Sequence, residues 1–181
     1  MGRVRMAGWG ALLTFLWACP ETGPSRVAAP PDSAAGEVAF RLAGPNQAAI
    51  LIPVELNGQG PFDFVLDTGA TLTCVDSAVA ARLALPERRG LRGVGAGVGG
   101  SGRIRLVEID SVQVGETRAY DLTGCVLDLE GARSIGVEAH GLLGLDFLKP
   151  FRVVLDFERG VMGLSDPATD GAAQTTSMAS P

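Results

Sequence analysis

The chain has 181 residues, 46% hydrophobic and 19% charged, enough to bury one ordinary core but too few for two large lobes. Its formal net charge of −5 argues against a nucleic-acid partner. Only 6% of residues are aromatic beside 25 glycines, which suits short strands and tight turns, so one all-β domain is expected.

Residues 1–19 read as an export signal. Arg3 and Arg5 form a positive start, residues 6–17 an apolar run too short for a permanent span, and Leu16-Trp17-Ala18-Cys19 a small-residue processing site. This end resembles a bacterial lipobox, although Trp17 is bulky for its place. Lipidation of Cys19 would tether the exported protein to a membrane at the periplasm or cell envelope; ordinary signal cleavage is the alternative. Loss of Arg3 and Arg5 leaves 13 basic residues against 20 acidic ones, a net charge of about −7. Residues 20–36, rich in Pro, Ala and Ser without an apolar period, predict a flexible tether, residues 37–165 the folded domain, and residues 166–181 a disordered tail.

Within the domain, Ile50, Ile52, Val54 and Leu56 alternate with other residues. Asn57-Gly58 supplies a hairpin turn, and Phe62, Phe64 and Leu66 resume the alternation, so a strand end delivers Asp67. Pro53 cannot donate to a ladder, which predicts an edge at that point. Asp76-Ser77 is a candidate N-cap for a helix over 78–85, stopped at Pro86. The glycine-dense stretch 90–102 predicts a mobile loop or hairpin tip. Strands are expected over 104–114 and 120–129, and a last hairpin joins 151–157 to 161–164 around Arg159-Gly160.

The chemistry centres on Phe64-Val65-Leu66-Asp67-Thr68-Gly69-Ala70-Thr71. An apolar strand ending in Asp-Thr-Gly sets a carboxylate at the rim of a core, where glycine permits a sharp turn and the threonine hydroxyl can bond neighbouring backbone and stiffen the loop. Taken alone, the tripeptide is weak and is better read as an Asx-type turn at a strand end. Cys74 and Cys125 could form a disulfide in an exported protein or lie as two buried apolar thiols. Gly95-Ala96-Gly97-Val98-Gly99-Gly100 formally matches GxGxxG, yet Arg103 and β-like residues follow in place of a helix. His140 is the only histidine and no serine sits in a nucleophile elbow, so triads and metal sites have no support.

The Asp67 segment, together with Leu142-Leu143-Gly144-Leu145-Asp146-Phe147-Leu148 downstream, resembles the retropepsin-like aspartic proteases, bacterial cell-envelope type. Phe151-Arg152-Val153-Val154-Leu155-Asp156-Phe157 is similar to the closing strand of bacterial members, and the likeness spans residues 50–164. It implies a small closed β-barrel with one or two short helices that dimerises. Asp67 would be catalytic on a loop shaped by Thr68, Gly69 and Ala70 and supported by Leu143 and Gly144. Residues Gly95, Ala96, Gly97, Val98 and Gly99 would form a flap over a polypeptide substrate. The implied activity is aspartic endopeptidase chemistry with no cofactor and no metal, one Asp67 coming from each subunit of a homodimer. The alternative is a non-catalytic peptide-binding or dimerisation module on the same fold. Asp146 and Asp156 are in-chain rivals for the second carboxylate, both read as structural. Retroviral members carry an acid and an arginine where this chain has Thr71 and Leu145, so their mode of pairing at the dimer base is not expected.

Overall fold

The computed structural model describes residues 26–28, 36–88, 93–97 and 100–167. Among these residues twelve strands run in chain order: β1 (Arg26–Ala28), β2 (Gly36–Ala39), β3 (Arg41–Ala43), β4 (Ala49–Leu56), β5 (Gln59–Leu66), β6 (Cys74–Asp76), β7 (Gly93–Gly97), β8 (Gly100–Val114), β9 (Thr117–Leu127), β10 (Gly141–Leu143), β11 (Arg152–Asp156) and β12 (Val161–Ser165). Among the described residues three short α-helices, α1 (Ser77–Arg82), α2 (Glu130–Ser134) and α3 (Leu145–Leu148), and one 3-10 turn (Pro45–Gln47) join them. The signal at 1–19 with Cys19, and the tail from 168 onward, lie outside the described residues. Within 20–36, Arg26–Ala28 pairs antiparallel with β9.

Six strands close on themselves. β4 pairs with β5, β5 with β10, β10 with β6, β6 with β9, β9 with β8, and β8 returns to β4. The expected closed barrel is therefore present, and closure leaves its member strands few unpaired edges. Alternation explains the filling: Ile52, Val54 and Leu56 of β4, Phe62 and Phe64 of β5, and Val107 and Ile109 of β8 all point into one core. A second sheet, ordered β11-β12-β2, adds Val38, Met162 and Leu164 to that core.

The turn signals are obeyed. Asn57 (φ 51°) and Gly58 (φ 73°) both adopt the left-handed conformation that a two-residue hairpin requires. Asn57 then helps close the barrel, because its backbone N–H donates to the Ser111 carbonyl at 2.9 Å and its Oδ1 accepts from Ser111 N–H at 3.0 Å. Pro53 sits in a local gap: β3 covers β4 as far as Leu51, and β8 begins its pairing only at Glu55. Asp76 caps α1 as expected, accepting from Ala78 N–H at 3.0 Å. The helix is shorter than its apolar run suggests, because Ala84 turns left-handed (φ 49°) before Pro86.

Cys74 and Cys125 are bonded as a disulfide, which decides between the two readings left open above. They face each other in the parallel β6–β9 pair, with Cα atoms 4.4 Å apart, and both are buried.

Candidate active site

The site follows from how one loop passes round one short strand. β5 and β10 run parallel, with Leu66 beside Leu143, and β6 lies antiparallel on the other side of β10, with Cys74 beside Leu142. Residues 67–73 must therefore leave the end of β5, cross the end of β10 and return as β6. Gly144 stands at that crossing. A Cβ there would lie 2.5 Å from the Leu72 carbonyl carbon and oxygen and 2.9 Å from Thr73 N, so only hydrogen fits. The Gly-Leu-Leu-Gly pattern is thus the sterically required counterpart of the Asp-Thr-Gly loop.

Asp67 is half-buried at the head of this loop. Its N–H donates to the Leu143 carbonyl at 3.1 Å, which fixes it to β10. Its Oδ1 accepts from Gly69 N–H at 2.9 Å, and its carbonyl accepts from Ala70 N–H at 3.2 Å. Among the described residues Oδ2 accepts no hydrogen bond, so one carboxylate oxygen is available to a water or a second acid. The structure brings Leu143, Gly144, Gly69 and Ala70 together around Asp67. Thr68 differs from expectation. Its side chain is exposed and its hydroxyl makes no hydrogen bond among the described residues, so loop rigidity comes from elsewhere.

That rigidity comes from contacts between residues 70–73 and the turn into α3. Leu145 N–H donates to the Ala70 carbonyl at 2.8 Å and Asp146 N–H to the Thr71 carbonyl at 3.1 Å. Thr73 donates from its N–H to Asp146 Oδ2 at 2.9 Å and from its hydroxyl to Asp146 Oδ1 at 2.8 Å. Phe147 N–H also donates to Oδ1, at 2.9 Å. Burial pushes the Asp146 carboxyl above the ordinary carboxylate value even though these bonds pull it down. Asp146 is structural, as the sequence suggests, but its partner Thr73, fully buried, carries no local signal in the sequence.

An open apolar groove of about 390 Å³ borders the loop, with Leu66, Thr68, Leu145, Leu148, Phe151 and Val153 among its walls. The glycine-dense stretch is a hairpin: β7 pairs with β8 from Gly93 opposite Ile104 to Gly97 opposite Gly100. Gly95, Ala96 and Gly97 belong to its first arm, whereas Val98 and Gly99 lie outside the described residues. A strand, not a helix, follows the glycines, so the dinucleotide reading has no structural basis. His140 sits at the opposite end of β10 from Asp67. Its Nδ1 accepts from Asp63 N–H at 3.1 Å and its ring packs on Phe62. Asp156 accepts from Arg159 N–H at 2.9 Å in the β11–β12 turn.

The family model described as Aspartyl protease matches residues 52–147. Among solved structures, the chain is similar to a retropepsin-like aspartic protease from Rickettsia conorii, at 19% identity with a TM-score of 0.49 over 77% of this chain and 93% of that one. It is also similar to the retroviral protease-like domain of Ddi1 from Leishmania major, at 19% identity with a TM-score of 0.42 over 64% of this chain and 86% of that one. No curated protein matches the sequence. The family match covers more than half of the 181 residues and runs from within β4 to within α3, and by it the chain belongs to the aspartyl protease family.

Proposed function

We propose that the protein is an aspartic endopeptidase in which Asp67 from each of two copies activates one water molecule. The observation that carries this reading is the Asp67 carboxylate itself, pinned at a strand end through its backbone and Oδ1, with Oδ2 accepting no hydrogen bond among the described residues. Two carboxylates held close cannot both ionise, so they share one proton. The charged partner takes a proton from water as the oxygen attacks the peptide carbonyl. The neutral partner gives its proton to the carbonyl oxygen, forming a tetrahedral diol. Collapse of the diol breaks the C–N bond, and a proton passes to the leaving amine. Such a dyad titrates as a pair.

A second copy supplies the partner carboxylate because this chain has one Asp-Thr-Gly and commits its rivals elsewhere. Asp146 is engaged by Thr73 and Phe147, and Asp156 by the turn at Arg159. A two-fold axis brings the same residue of both copies together. The exposed Thr68 beside an apolar groove supports a contact surface at this place. The β7–β8 hairpin acts as a flap that closes over an extended polypeptide and excludes water. We further propose export with an anchor at Cys19; the Cys74–Cys125 disulfide suits an oxidising compartment.

The test incubates the full chain and an Asp67→Asn variant with an unfolded protein substrate from acid to neutral pH. Cleavage by the wild type that falls by at least about 1,000-fold in the variant is expected. If both proteins are folded and neither cleaves, the proteolytic reading fails and a peptide-binding role replaces it.

A further inference from the structure

The catalytic loop is weakly braced from within. Two hydrogen bonds hold it internally, from Gly69 N–H and Ala70 N–H to Asp67, while Thr68 and Gly69 are exposed. Its firm attachment lies one turn further along, at Thr73. This residue has no solvent exposure; its carbonyl accepts from Cys125 N–H at 3.0 Å, and its N–H and hydroxyl are both spent on the far side of the crossing. Both of its donors meet the two oxygens of Asp146, and its hydroxyl oxygen accepts from Gly144 N–H at 3.3 Å. The residue types are specific to this pattern. Only a carboxylate offers two acceptor oxygens to two donors of one residue, and only a hydroxyl both gives and accepts at the same atom. Keeping a carboxylate in a site that burial makes unfavourable, where apolar packing would serve stability as well, indicates a demand on geometry.

We infer that Thr73 and Asp146 form a latch that fixes the Asp67 loop against the Leu143–Gly144 turn, which makes both of them positioning residues for the proposed proteolysis. Neither touches the reacting atoms. Their effect passes through the Ala70 and Thr71 carbonyls, which receive the N–H groups of Leu145 and Asp146. A latched loop holds the Asp67 carboxylate still enough to meet its partner, and a shift of about 1 Å at such a group costs about 100-fold in rate.

The experiment uses the full chain with Thr73→Val, which keeps the shape and removes the hydroxyl, Thr73→Ser, which restores it, and Asp146→Asn, which turns one acceptor into a donor facing a donor. Hydrogen exchange of the Gly69 and Ala70 amides is measured beside kcat and KM, well below each melting temperature. The latch predicts exchange at those amides about tenfold faster or more in the Val and Asn variants. It also predicts kcat lower by about 10- to 100-fold with KM within about twofold, and recovery of both in the Ser variant. Folded Val and Asn variants with wild-type exchange at Gly69 and Ala70 would overturn it. Should those variants not fold, the wild-type chain still decides: Gly69 and Ala70 amides exchanging by fast local opening while Thr73 stays protected would overturn it too, and shared protection would support it. Exchange is readable whether or not the chain cleaves, so an inactive wild type with a latched loop removes the proteolytic reading and leaves the latch standing.

Discussion

Asp76 performs two tasks with one buried carboxylate. Its Oδ1 caps α1, while Oδ2 accepts from Leu129 N–H at 3.2 Å and from the Arg133 guanidinium at 3.1 Å, tying α2 to the end of β6. Burial alone would raise its proton affinity, but the bonds from Ala78, Arg133 and Leu129 outweigh that and hold the carboxyl below its ordinary value. A carboxyl bound more weakly to its proton in the native state stabilises the fold above its unfolded value of about 3.9. That contribution is lost as the pH falls through the lower native value. Asp76→Asn should therefore cost about 2 kcal/mol at pH 7 in urea unfolding, with the gap to wild type narrowing as the pH drops towards 3. A gap independent of pH would refute the account. Asp146 carries the opposite sign: native burial holds its proton more tightly, so its part in stability declines as pH rises from about 3.9 through the raised value.

At the scale of elements, the disulfide is the main covalent tie. It joins residues 51 apart in sequence, and by the chain-entropy argument closing such a loop is worth about 4 kcal/mol. A Cys74→Ala, Cys125→Ala variant is expected to lose most of this in urea unfolding; a loss under about 1 kcal/mol would mean that β6 and β9 hold together without it. Elements built on short-range signals were legible in the sequence. The β4–β5 hairpin announced itself by alternation around Asn57-Gly58, α1 by the Asp76 cap, and the last hairpin by Gly160, which adopts φ 66°. What stayed hidden depends on distant partners. Nothing local in Cys74-Val75-Asp76 says that it lies parallel to β9 and antiparallel to β10. α2, the helix beyond the expected one or two, is five residues with a glycine inside, too short for a periodic signal, and is held by Asp76 from another part of the chain. The site divides in the same way: Asp67, Gly69 and Gly144 were legible as motif residues, whereas Thr73 acquires its role only when residues 144–146 arrive beside it.

The whole molecule, on the proposed reading, is half of an enzyme. Mixing provides the sharpest check of that stoichiometry. An excess of Asp67→Asn chain added to a fixed amount of wild type, after time for exchange, should suppress cleavage towards zero as mixed pairs replace wild-type pairs. Specific activity of wild type alone should also fall on dilution. Cleavage per wild-type chain that is indifferent to both would assign a complete site to a single copy and end the shared-dyad mechanism.

The passage of residues 67–73 round β10 also has a consequence in time. Asp67 is synthesised early, but the strand it is pinned to and the glycine its loop crosses come from the far end of the domain. During synthesis the carboxylate therefore belongs to a chain that has nothing to hold it, and chain entropy keeps such long-range contacts for last. A molecule cut or halted before Gly141 would carry every residue of the Asp-Thr-Gly motif and still have no formed site. The destructive chemistry would then be confined to chains that have finished folding, through connectivity alone.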